Sequence, residues 1–140
     1  MHGWTNSDIT QVGLLRMLEC CPSLETLCIA INTNAFTQVP LDRPGRGVQN
    51  TNIRTVTFAD STITPCATTA VAAFLSDVFP NLNEVTAWKS EQLRKRPGAN
   101  LYAARWDDVS QQVKGMIRIR QQERRWRWSE QTRCDICLSF

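Results

Sequence analysis

The sequence is short of the groups that chemistry usually needs. It has one histidine, His2, so the usual base for a serine or cysteine nucleophile is missing from the rest of the chain. No stretch approaches the roughly 18 to 20 apolar residues of a membrane span, and no membrane partner is expected. Residues Met1 to Asp8 lack a basic segment followed by an apolar one, so nothing there predicts secretion. The net charge of +3 is too small to point by itself to nucleic acid or lipid. Cys134-Asp135-Ile136-Cys137 has the spacing of half a zinc site or a redox pair, but the only other close pair is Cys20-Cys21, whose adjacency suits neither. Asp107 and Asp108 are adjacent, so on a helix they point apart and make no carboxylate pair. The expectation is a protein that is not an enzyme, with no catalytic residues, no metal and no cofactor.

What is present suits one modest folded domain: 140 residues, of which 42% are apolar. Six cysteines are spread without the spacing of a small disulfide scaffold. This predicts free, partly buried thiols in a reducing compartment, cytoplasmic or nuclear.

The most informative feature is a repeat. Leu24-Glu25-Thr26-Leu27-Cys28-Ile29 carries aliphatic residues at its first, fourth and sixth positions. Ile53-Arg54-Thr55-Val56-Thr57-Phe58 repeats the pattern 29 residues on, and Leu82-Asn83-Glu84-Val85-Thr86-Ala87 repeats it after another 29. Such a period is the mark of stacked units, and stacked units work through a surface. In an extended strand alternate side chains face opposite ways. Leu27 with Ile29, Val56 with Phe58, and Val85 with Ala87 are therefore expected to point inward as three ladders. The outward row is Thr26, Cys28 and Ala30, then Thr55, Thr57 and Ala59, then Glu84, Thr86 and Trp88. Trp88 has two readings: an exposed anchor for a partner, or a ring packed beneath the C-terminal helix.

Between the strands, Ile9, Val12, Leu15 and Leu18 predict a helix from Asp8 to Cys20, with Asp8 as cap or first-turn acid. Pro22 ends it. Residues 32–52 are irregular, and Arg43-Pro44-Gly45-Arg46-Gly47 reads as a mobile turn lacking the Lys-Ser/Thr ending of a phosphate-binding loop. Thr64 to Val78 reads as a helix with Pro65 at its first position and Val71, Phe74, Leu75 and Val78 on one side. The expected organisation is a repeat region over 8–89, a linker over 90–102, a basic helix over 103–130 and a tail over 131–140. In that helix Trp106, Val109, Val113, Met116 and Ile117 share one stripe, which predicts a cap on the open end of the stack.

Pro22-Ser23-Leu24-Glu25-Thr26-Leu27-Cys28-Ile29 and Pro80-Asn81-Leu82-Asn83-Glu84-Val85 resemble the strand segment of leucine-rich repeats of the 28-to-29-residue intracellular kind. Leu18-Glu19-Cys20-Cys21-Pro22-Ser23-Leu24-Glu25-Thr26-Leu27 is especially similar to the leucine-rich-repeat region of fungal, mushroom-type F-box proteins. The resemblance covers about Asp8 to Trp88, and the segment before Asp8 holds no F-box. Ser61 stands where the family often has asparagine after the strand. The resemblance implies an α/β fold, a short leucine-rich-repeat solenoid with parallel strands on a concave face, helices and loops on the convex face, and a C-terminal capping helix. It also implies the substrate-recognition part of a ubiquitin-ligase adaptor. From the outward row, the residues expected to bind an unknown protein partner are Thr26, Cys28, Thr55, Thr57, Glu84, Thr86 and Trp88.

The C-terminal segment carries the rival signal. From Lys114 to Arg133 seven basic residues stand against Glu123 and Glu130. Arg118, Arg124, Arg125, Trp126, Arg127 and Trp128 form an alternative basic surface, because arginine pairs with phosphate and tryptophan stacks on bases. A nucleic-acid-binding protein is thus the alternative to a protein-binding one; a truncated product without independent function is the third reading.

Overall fold

The computed structural model describes residues 9–36 and 40–138, with side chains as far as residue 129. Its elements run α1 (Gln11–Cys20), β1 (Leu27–Cys28), β2 (Thr55–Thr57), a 3-10 turn (Pro65–Ala67), α2 (Thr68–Val78), β3 (Glu84–Thr86), α3 (Glu91–Arg94) and α4 (Ala99–Leu138).

The three strands form one parallel sheet in the order β1-β2-β3. Leu27 pairs with Val56 and Val56 with Val85, so the 29-residue interval of the sequence is the register of the sheet. Parallel neighbours need a crossover rather than a hairpin. Between β2 and β3 the crossover is α2; between β1 and β2 it is the irregular loop, as its composition predicts. The strands are shorter than the six-residue patterned segments 24–29, 53–58 and 82–87, since only two or three residues of each make ladder bonds. The protein is a mixed α/β structure in which helix outweighs strand, with α4 alone running 40 residues.

The inward ladders are as the alternation predicts. Val56, Phe58, Val85 and Ala87 are buried, as is Leu27, while Ile29 is half-buried. They rest on α2, which is buried along nearly its whole length, and Val71, Phe74, Leu75 and Val78 are fully buried. Helix α1 differs from its expected face. Leu14, Leu15 and Leu18 are buried and Val12 is 43% exposed, because the helix turns the 14–15–18 side to the core. Thr10 caps it, its hydroxyl accepting the N–H of Gly13 at 3.4 Å; Asp8, the expected cap, lies outside the described residues.

The expected mobile turn at Arg43–Gly47 is tied down instead. The buried Asp77 carboxylate accepts Arg43 Nη2 at 2.7 Å, Arg43 Nε at 3.1 Å and the Gly45 N–H at 2.9 Å, and Arg120 of α4 approaches it at 3.5 Å. Pro44 and Gly45 are buried against α2 as a result.

The expected linker over 90–102 is also structured. Ser90 caps α3 by accepting the Leu93 N–H at 3.2 Å, Gly98 turns the chain at φ 79°, and α4 begins at once with the buried Ala99. Helix α4 starts before the expected 103 and continues through the expected tail to Leu138; residues 139–140 lie outside the description. Trp106, Val109 and Val113 are buried and Met116 and Ile117 half-buried, so α4 packs on α2 and along β3. It also finishes the sheet. The Val85 N–H, on the open edge of β3, donates to the Ser110 hydroxyl at 3.1 Å, and an edge covered in this way offers no template to another chain.

Candidate interaction surfaces

Two surfaces are built by this frame: the outward row of the strands, and the basic face of α4.

The outward row lies where no helix covers it. Thr26, Cys28, Thr55 and Glu84 are exposed, and Thr57 and Thr86 are half-buried beside each other. Their hydroxyl oxygens are 3.0 Å apart, a cross-strand pair spanning 29 residues. At its lower end the row opens into a groove of about 400 Å³ lined by Glu25, Thr26, Thr51, Asn52, Arg54 and Thr55. Cys20, Cys21, Cys28 and Cys66 are free, as expected, but all four are exposed rather than partly buried.

Trp88 does not belong to this row. It is 2% exposed and adopts φ 61°, a left-handed conformation that swings its side chain out of the strand alternation. Ala59, 29 residues earlier, has φ 51°, so the same turn ends both units. The indole of Trp88 stacks on Tyr102 of α4 at 5.1 Å, with the Arg96 guanidinium 5.0 Å from its ring centre. Arg96 is held in turn by Asp60 at 3.0 Å. The ring is packed beneath the C-terminal helix and cannot anchor a partner.

The units are also stitched by polar bonds that repeat with the sheet. Asn52 donates to the Pro22 carbonyl at 3.4 Å, and Asn81, 29 residues later, donates to the Thr51 carbonyl at 2.9 Å. On the far side of the strands, the Ser61 hydroxyl accepts the Ile31 N–H at 2.9 Å and donates to the Phe58 carbonyl at 2.6 Å. Ser61 thus serves as the bridge between neighbouring units at the position where the resemblance expects asparagine. Asn50 does the same work before β2: it donates to the Leu24 carbonyl at 3.0 Å and accepts the N–H groups of Asn52 and Ile53. Sequence reasoning missed Asn50, Asn52 and Asn81; the recurrence of asparagine before two strands at the repeat interval was the available signal.

The six residues of the basic surface all lie on α4, but the helix divides them. At 3.6 residues per turn, Lys114, Arg118, Gln121, Arg125 and Trp128 fall on one stripe. Arg124 and Arg127 lie on the neighbouring face, with Arg120, around a cavity of about 330 Å³ that also contains Arg43, Asp77 and Glu123. Trp126 falls on the opposite side near Ile119; the two are 59% and 54% exposed. The first stripe borders a groove of about 370 Å³ whose charged residues are Arg54, Lys114 and Arg118, with Asn81, Asn83 and Gln121 among its polar walls. Arg54, on the outer side of the β2 unit, was not anticipated there. Among the described residues none of these three cations takes part in an ion pair.

No group of three histidine, cysteine or acidic side chains among the described residues is placed to hold a metal ion. The side chains of Cys134 and Cys137 lie outside the description. No helix among the described residues is long and apolar enough to cross a membrane. Compared with protein-family models, with curated proteins and with solved structures, the chain finds no match.

Proposed function

We propose that this chain is a small leucine-rich-repeat-like solenoid that binds another protein through its outward strand row, with Thr26, Cys28, Thr55, Thr57, Glu84 and Thr86 as the contact residues. The observation that carries this reading is the coincidence of the 29-residue sequence interval with the strand register, which lines up Thr26, Cys28, Thr55 and Glu84, exposed, with Thr57 and Thr86, half-buried, on one side of the sheet. Stacked units of this kind bury one face of each strand and leave the other free for a partner. The groove at Glu25 and Arg54 adds opposite charges at the rim, where they would set orientation and rate of encounter more than affinity. On the resemblance to fungal F-box proteins, the row would be the substrate-recognising part of a ubiquitin-ligase adaptor.

The test replaces Thr57 and Thr86 together with arginine, which fills the row with bulk and charge. Wild type immobilised on resin and offered nuclease-treated cell extract is expected to retain proteins that the double variant does not. A retained protein, purified, should then bind the wild type with a negative heat-capacity change, the mark of apolar burial. Equal retention by both forms would remove the row as the docking face.

A further inference from the structure

The stripe on α4 has features that a protein-binding strand row does not need. Four of its members, Lys114, Arg118, Gln121 and Arg125, are basic or polar and exposed, and the fifth, Trp128, is 71% exposed. From Lys114 to Trp128 it runs about 21 Å at 1.5 Å per residue. Its start shares a groove with Arg54, which enlarges the cationic cluster to three side chains with no carboxylate in the lining. Cations in a line suit a linear polyanion better than a single point charge.

We propose that this stripe is a track for single-stranded nucleic acid, with phosphates held by Arg54, Lys114, Arg118 and Arg125 and a base stacked on Trp128. Non-specific single-strand binders combine a positive groove along the backbone with aromatic rings that take unpaired bases. A duplex keeps its bases stacked on one another and offers the ring no such face. The amides of Asn83 and Gln121 in the groove wall suit sugar and base edges. A membrane surface fits less well, because a helix lying in lipid needs a wide apolar face opposite its basic one. Here Leu101, Ile119 and Trp126 are the exposed large apolar residues of the opposite side, too far apart along α4 to make a continuous apolar face, and Glu123 adjoins the last two.

The experiment uses the full chain and a fluorescently labelled oligothymidylate, followed by anisotropy between about 50 and 200 mM salt. With three or four phosphates neutralised, the slope of log K against log salt should be about −2 to −3 for a single strand. Replacing Lys114 and Arg118 with alanine should flatten that slope by about 1.4. Trp128→Ala should weaken binding roughly 5- to 150-fold at every salt concentration without changing the slope, the fold-range of one stacked base. Trp128→Tyr should recover most of it, and Trp126→Ala, on the other side of the helix, should change nothing. Helicity by circular dichroism checks that each variant stays folded. Absence of binding at low salt, equal losses for the two tryptophans, or equal competition by polyglutamate would overturn the proposal. So would binding to phosphatidylserine vesicles without binding to the oligonucleotide.

Discussion

Trp88 and Trp106 donate their indole N–H groups to the same acceptor, the carbonyl oxygen of Ser61, at 2.8 and 2.9 Å. One residue follows β3 and the other lies on α4, so a single carbonyl after β2 joins the last unit of the sheet to the helix that closes it. All three residues are buried, and the Ser61 hydroxyl reaches on to Ile31 of the first unit.

A shared acceptor predicts non-additive loss. In Trp88→Phe the Ser61 carbonyl keeps its bond from Trp106, and in Trp106→Phe it keeps the bond from Trp88. Only the double variant leaves a buried oxygen with neither. Each single change also loses ring volume, but the cycle subtracts those terms. The double variant should therefore be destabilised beyond the sum of the singles by about 1 to 3 kcal/mol, the cost of an unsatisfied buried group. Urea unfolding of the four proteins measures it; a coupling near zero would mean water reaches this carbonyl.

A second prediction concerns the loop that precedes β2. Removing the Asp77 carboxylate leaves the Gly45 N–H without its acceptor and two arginines without their counter-charge, so Asp77→Ala should cost about 3 to 5 kcal/mol. Arg43→Ala takes the closest counter-charge from a carboxylate that is 2% exposed but leaves it Arg120 and the Gly45 N–H, so it should cost about 1.5 to 3 kcal/mol. Gly45→Ala is of the same order. A Cβ there would stand 2.7 Å from Val78 Cγ2 and 2.9 Å from Asp77 Oδ2, and overpacking of that kind costs about 1 to 3 kcal/mol. Unfolding midpoints of the three variants check the anchor. A loss under about 0.5 kcal/mol for Arg43→Ala would reduce it to a solvated surface pair.

Which parts of the structure were legible beforehand follows from the physics of each. The strand register could be read because burial selects aliphatic residues at Leu27, Val56 and Val85, and the selection recurs at one interval. The stripe of Trp106, Val109 and Val113 could be read for the same reason, at helical spacing. Trp88 was ambiguous because strand alternation holds only while φ stays extended, and a left-handed residue leaves no mark in composition unless it is glycine. Asp77 could not be found at all. An acid near the end of an amphipathic helix looks solvated until the chain 34 residues earlier returns Arg43 to cover it. The linker error at 90–102 has a local origin: Pro97-Gly98 looks like flexible chain, yet Gly98 supplies the one positive φ that lets α4 start directly. On the basic surface, the residue types were legible but not their division among three faces of the helix, nor the contribution of Arg54 from the β2 unit.

The last prediction separates the two halves of α4. A chain that stops at Gly98 loses Trp106, Val109 and Val113 and uncovers Phe58, which stacks on Trp106 at 5.0 Å, together with Val85 and Trp88. Three buried side chains at about 1.5 to 3 kcal/mol each approach the entire stability of a small domain. The Val85 N–H also loses its acceptor and the sheet regains an open edge. This shortened chain should show no cooperative urea transition and no near-ultraviolet circular dichroism. Beyond Arg120 the balance reverses, since residues 121–129 are all exposed. Trp126→Ala should accordingly leave the unfolding midpoint within about 0.5 kcal/mol of wild type, while Trp106→Ala should cost about 3 to 5 kcal/mol. A sharp transition in the Gly98-ended chain would show that the sheet and α2 stand without their cap, and α4 would then be an appendage rather than the closing layer of the fold.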